Sequence, residues 1–293
     1  MAFRYDMQGK TPQQKAIVAQ RDAADKLRQQ EAEKQRNSFK LSERIIDKQK
    51  LAKGILHHTF EPQPGRHFGT SVTAILSGNK AVLIDTAYDF QAQELLADLV
   101  KNNIEIERII ITHFHDDHMQ GLKVLPKVPV YGSARFQETL DMWTPAGEHS
   151  FYAPTVLISE PQTLAFGDHL LTLIPFPGHS MCGMIVNIDN WFLHIADELM
   201  FSPDGVPLLP SADSNDFARH LRSLDRLREY TMFSLIPSHG PVFGREKLVA
   251  EIESRIIYMN ALVQSDRKIS YEDATKDCGC TFLHSEWHSG NCE

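Results

Sequence analysis

Long apolar runs are missing from this sequence. Nowhere does it hold the roughly 18–20 consecutive apolar residues that a membrane-spanning helix needs. The N-terminus, MAFRYDMQGKTPQQKAIV, lacks the apolar centre and small-residue cleavage pattern of a secretory leader. Asp6, Asp22 and Asp25 do not suit an acid-poor transit peptide. A cytoplasmic protein without a membrane partner is therefore expected. Cysteine is scarce, with four in 293 residues, and Cys278, Cys280 and Cys292 all lie near the C-terminus. Such a set is too small and too terminal for a disulfide framework. Beyond the N-terminal arm there is no low-complexity tract, and no strong internal repeat at the residue level. The body has no dense Lys/Arg cluster, which disfavours nucleic acid as a partner.

What is present is a foldable chain that is 42% hydrophobic, enough for a buried core. Charge is uneven. Residues 1–54 hold 13 basic and 7 acidic side chains, whereas the remainder holds 17 and 31. A basic arm on an acidic body can dock in cis or build a homo-oligomer through an N-terminal helix. Thr11-Pro12 starts the helical pattern, which is rich in Ala, Gln, Lys and Glu and runs to Lys53 with Gly54 as its stop. Three segments are expected: a helical extension over 1–54, a catalytic body over 55–268 and a Cys/His-containing tail over 269–293.

Within the body, SVTAILSG (71–78) and KAVLIDT (80–86) read as strands of a hairpin. Residues 89–103 have helical periodicity, and RIIITH (108–113) is a short buried strand. A strand is expected at 129–132, a helix at 133–140 and a long connection at 141–162. Strands follow at 169–176, 183–189 and 191–197. A Pro/Gly/Ser loop covers 202–213, with a helix at 214–229, a strand at 233–238 and a long helix at 245–265.

The chemistry is concentrated where the strand 108–113 ends. His113, His115, Asp117 and His118 fall within six residues there. A strand end turning into a helix can aim all four side chains at one point. Imidazole and carboxylate together suit zinc, with iron or manganese also compatible. This His-x-His-x-Asp-His run resembles the signature of the metallo-β-lactamase superfamily. Asp85, the Pro177-Gly178-His179-Ser180 loop, Asp197 and Ser238-His239-Gly240-Pro241 match the family's other elements in order. The resemblance covers residues 55 to about 245.

The resemblance implies an α+β fold, an αββα four-layer sandwich with metals at one edge. It implies two ions, taken as Zn2+: one on His113, His115 and His179, the other on Asp117, His118 and His239, with Asp197 bridging. It also implies hydrolysis of a small-molecule substrate by a metal-bound hydroxide. Asp117 would orient the nucleophile and Asp85 would support the site from behind. Lone histidines at 57, 58, 194 and 220 are read as structural or surface residues.

Family branches differ at identifiable positions. Cys-containing β-lactamases have Cys where Asp197 stands and Lys where Met200 stands. Acyl-homoserine lactonases have Tyr at the Met200 position, and glyoxalase-II-like thioesterases share the seven ligands. Flavodiiron members have Glu where His115 stands. A lactone, thioester or amide is the expected substrate class, a phosphodiester the alternative, and a non-catalytic metal-binding role a third reading. Trp143, Phe151, Tyr152, Met181, Cys182, Met184 and Phe201 are candidate walls of the cleft. Arg66 and His67 are placed where a loop leans over it. The cysteines of the tail, with His284 and His288, are a candidate additional zinc site.

Overall fold

The computed structural model describes residues 45–63 and 66–292. The first half of that chain builds one seven-stranded sheet: β1 (Ile45–Ala52), β2 (Ile55–Phe60), β3 (Ser71–Ser77), β4 (Lys80–Ile84), β5 (Glu105–Ile110), β6 (Val130–Ser133) and β7 (Val156–Ile158), in that spatial order. Its first four strands are antiparallel, and β4 to β7 run parallel. The second half builds a five-stranded sheet from β8 (Gln162–Phe166), β9 (His169–Pro175), β10 (Met184–Ile188), β11 (Phe192–Ala196) and β12 (Ser234–Pro237).

Side chains on a strand alternate between faces, so a sheet covered on both sides buries both sets. In β4, Ala81 and Leu83 point into one apolar cluster, while Val82 and Ile84 point into another. The cluster holding Val82 and Ile84 also takes Leu171, Leu173, Val186 and Ile236, so it is the core between the two sheets. The outer face of the first sheet is covered by α1 (Asp89–Lys101), whose Ala92, Leu95 and Leu99 are buried there. That of the second is covered by α5 (Phe217–Leu227) and α6 (Arg245–Gln264). Between them in chain order lie the short α2 (Asp116–Met119), α3 (Phe136–Trp143) and α4 (His149–Tyr152). The order helix, sheet, sheet, helix is the αββα sandwich expected from the sequence. No helix among the described residues is long and apolar enough to cross a membrane.

Several sequence expectations are corrected. Residues 45–52, assigned to the end of a helix within the 1–54 extension, form β1 on the sheet edge. Its residues 47–50 are all exposed, so the strand carries no alternating pattern, and charged edge strands of this kind resist unwanted pairing. The rest of that expected helix lies outside the described residues. β2 was not foreseen; its burial does not alternate, because the two histidines at 57 and 58 are both buried. The connection assigned to 141–162 contains α4, β7 and the first residue of β8.

Candidate metal centre

All the expected ligands leave the C-terminal ends of strands, where open α/β sheets place their sites. β4 ends at Ile84 and delivers Asp85, whose φ of 63° turns the chain sharply. β5 leads into residues 113–118, and α2 begins at Asp116. β9 is followed by the loop 177–180, β11 by Asp197 and β12 by Ser238 and His239. Ala196, at φ 49°, swings Asp197 away from the line of β11. A non-glycine residue in that region stores local strain, which is concentrated at functional sites.

The side chains converge. His113 Nε2 and His115 Nδ1 are 3.1 Å apart, and His179 Nε2 is 3.3 Å from His115 Nδ1. His118 Nε2 is 3.6 Å from the Asp117 carboxylate, and His239 Nε2 is 3.5 Å from it. Asp197 Oδ2 lies between the two groups: 3.1 Å from His239, 3.5 Å from His118, and 3.8 Å from both His113 and His179. Zinc donors about 2.1 Å from a tetrahedral ion are separated by roughly 3.4 Å, so these spacings suit a cation in each group. Three sets of residues have donor atoms close enough to share one ion: His113/His115/His179, His113/His118/Asp197 and Asp117/His118/His239. His118 Nε2 and Asp197 Oδ1 are buried and have no hydrogen-bond partner among the described residues. Buried polar atoms without partners are rare, and a bound cation would satisfy both.

The electrostatics agree. Burial opposes the charge of Asp197, but His239, His118 and His113 hold its carboxyl well below the usual range. Burial also opposes a charged His118, yet Asp197, Asp117 and Asp85 push its imidazole well above the ordinary value. His113 moves the other way, lowered by burial and by its neighbours His118 and His115. The centre is a buried, carboxylate-bearing nest of imidazoles that favours positive charge.

Each ring is fixed from behind, which sets the tautomer and aims the other nitrogen inward. His118 Nδ1 donates to Asp85 Oδ2 at 2.9 Å, and Asp85 also accepts from the backbone N–H and hydroxyl of Thr112. His113 Nδ1 donates to Thr112 Oγ1 at 3.1 Å. His239 Nδ1 donates to the Gly69 carbonyl at 2.7 Å and His179 Nδ1 to the Ser211 carbonyl at 2.8 Å. His115 Nε2 donates to Asp213 Oδ1 at 2.9 Å, an oxygen that also accepts from the Trp143 indole. Asp213 Oδ2 accepts from the Ser180 hydroxyl. Burial raises the Asp213 carboxyl, but the bond to His115, the charges of His115 and His179 and the Ser180 hydroxyl together hold it down.

Asp213, Glu198 and the carbonyls of Gly69 and Ser211 were not singled out from the sequence. Asp213 sits in a Pro/Ser/Asp loop with no motif, and carbonyl acceptors leave no side-chain signature. Glu198 directly follows Asp197 and its Oε1 accepts the His179 backbone N–H at 3.2 Å. Burial pushes its carboxyl up to about 8.

The candidate walls divide. Trp143 is 57% exposed and its ring lies 5.8 Å from His115; Phe151 is 48% exposed. Tyr152, Cys182, Met184 and Phe201 are buried instead, with Met184 in the core between the sheets. The Cys182 thiol is hydrogen-bonded by Thr139 and raised by burial, as an inert core thiol would be. Histidines 57, 58, 194 and 220 are all buried rather than on the surface. The candidate zinc site of the tail is not assembled: no candidate metal group among the described residues includes a cysteine, and Cys278 Sγ donates to the Ser254 carbonyl.

Residues 65–190 match the metallo-beta-lactamase superfamily. That match covers less than half of the chain, so it marks a resemblance to the superfamily over those residues. A beta-lactamase-like protein 2 homolog from Caenorhabditis elegans is 26% identical over 215 residues, 69% of this chain and 66% of that protein. The lactamase-like protein nscB of Neosartorya fischeri is 26% identical over 67% of this chain and 55% of its own length. A hydroxyacylglutathione hydrolase from Haemophilus ducreyi is 32% identical over 82 residues, 27% of this chain and 34% of that enzyme. The chain thus matches about a third to two thirds of the length of these relatives. Among solved structures, a metallo-beta-lactamase from Pontibacter korlensis superposes with a TM-score of 0.58 at 22% identity, covering 69% of this chain and 95% of that one. One from Hirschia baltica gives 0.57 at 22% identity, covering 72% and 97%. The chain therefore shares the sandwich with metallo-beta-lactamases to which its sequence is distant.

Proposed function

We propose that this chain is a cytoplasmic hydrolase with a dinuclear metal centre, preferably zinc, acting on a small carbonyl substrate such as a lactone, thioester or amide. The observation that carries the proposal is the position of Asp197 Oδ2, within 3.1–3.8 Å of four imidazole nitrogens from two ligand groups. One carboxylate oxygen shared in this way suits a bridge between two cations. His113, His115 and His179 would hold one ion, and Asp117, His118 and His239 the other. Bound divalent ions would supply Lewis-acid polarisation and a water of lowered pKa at neutral pH. Asp117 is the ligand whose side chain is 14% exposed, against 5% for Asp197, so it is suited to orient an entering water through a hydrogen bond. Asp85 would act only through His118 and Thr112. Trp143 and Phe151 would shield the substrate from solvent on the first-sheet side.

The carbonyl reading draws support from the relative named for hydrolysis of hydroxyacylglutathione. Four free thiols fit a reducing compartment. The hydrolase unit of the proposal runs over residues 55–268, extended by β1, with the N-terminal segment as an appendage and 269–293 as a tail. Metal analysis paired with a hydrolysis screen on one preparation is the test. Two metal equivalents with turnover of a lactone, thioester or amide is the expected result. Turnover of bis-p-nitrophenyl phosphate alone would overturn the substrate class, and a metal-free active enzyme would overturn the centre.

A further inference from the structure

The C-terminal tail lies outside the stretch matched to the superfamily, and it is well packed. It contains α7 (Tyr271–Thr275) and α8 (Trp287–Cys292). Leu283 pairs its backbone with two residues of the 198–215 loop, donating to the Pro207 carbonyl at 2.9 Å and accepting from Leu209 at 3.0 Å. Asn291 is buried and donates to the Pro210 carbonyl at 2.9 Å. On the other side the tail grips the loop that precedes β3. His284 and Trp287 stack on each other at 4.4 Å, and both meet the edge of Phe68. The His67 backbone N–H donates to His284 Nε2.

These two loops supply the acceptors behind three imidazoles. Gly69, next to Phe68, holds His239; Ser211, next to Pro210, holds His179; Asp213 holds His115. Phe68 also packs edge-on against the His239 ring at 4.9 Å. Gly69 has no slack, because a Cβ there would come within 2.1 Å of the Phe60 carbonyl.

We propose that residues 282–292 are a clamp that positions the metal-binding histidines: by fastening both loops, the tail fixes Gly69, Ser211 and Asp213 behind His239, His179 and His115. The inference rests on the metal-centre reading above. Its residues touch no reacting atom, so they are positioning residues, and the effect is carried by ring orientation.

The test measures Zn2+ affinity of the full chain by competition with a chromophoric chelator, alongside the melting temperature of the metal-free protein. Trp287→Ala and Asn291→Ala are expected to weaken zinc binding about 10-fold or more, the scale of losing outer partners of metal ligands. Trp287→Phe should recover most of the loss, and Lys276→Ala, at an exposed position outside residues 282–292, should bind like the parent. Should Trp287→Ala not fold, Asn291→Ser carries the comparison. Unchanged affinity with a lowered metal-free melting temperature would make the tail a stabiliser of the fold only and overturn the clamp. A parent that binds no zinc would overturn the metal centre itself, a result distinct from a parent that binds zinc and variants that bind it equally.

Discussion

At Asp197, substitution removes the one oxygen that four imidazoles share. Asp197→Ala is expected to lose at least one metal equivalent and most hydrolytic activity, read by metal analysis and turnover on the same sample; full metal content in the variant would rule out the bridge. Asp85→Asn is a subtler probe. It keeps the shape but weakens the charge-assisted bond to His118 Nδ1, and metal affinity should fall about 10–100-fold. A variant that kept parental affinity would show that the charge on Asp85 is not what holds His118 in place. The side chains that the structure brings together were singled out in advance from the dense run at 113–118 and from the spaced residues His179, Asp197 and His239. Asp213 was not, because it comes to His115 from 98 positions away by a loop path that no periodicity records.

Among the elements, the turn at Gly178 is a tight joint of the centre. A Cβ there would sit 2.2 Å from Ser223 Oγ on α5 and 2.3 Å from Glu198 Oε1, on two buried side chains joined by the bond from Ser223 Oγ to Glu198 Oε2. Gly178→Ala should therefore cost about 1–3 kcal/mol of folding stability, measured by urea unfolding, because two packed polar groups must move. A cost near zero would show that α5 can shift freely. Strands with both faces covered, such as β4 and β5, were legible as short apolar runs. β1 was not, because an exposed edge strand with Lys48 and Lys50 has the composition of a solvated helix. The packing of the tail was not legible either, since its anchors are backbone pairs and single aromatic contacts rather than an apolar stripe.

Across the whole molecule, buried histidines set the response to acid. His57 faces the core between the sheets, bonded to Thr73 Oγ1 at 3.0 Å, and burial lowers its imidazole to about 3. In the unfolded chain it would titrate near 6.5. Below that value the unfolded state binds the proton and the folded state does not, so stability falls as pH drops from 6.5 towards 3. His57→Asn should flatten the acid limb of a stability–pH curve by about 1.4 kcal/mol per pH unit in that window. An unchanged slope would mean that His57 takes up its proton without unfolding. The two sheets come from consecutive halves of the chain, divided at residues 159–161. The proposed ligands are shared between those halves: His113, His115, Asp117 and His118 from one, and His179, Asp197 and His239 from the other. Ions bound there would act as rivets through the seam of the molecule, so stripping them would slacken the join between the leaves as well as stop the chemistry.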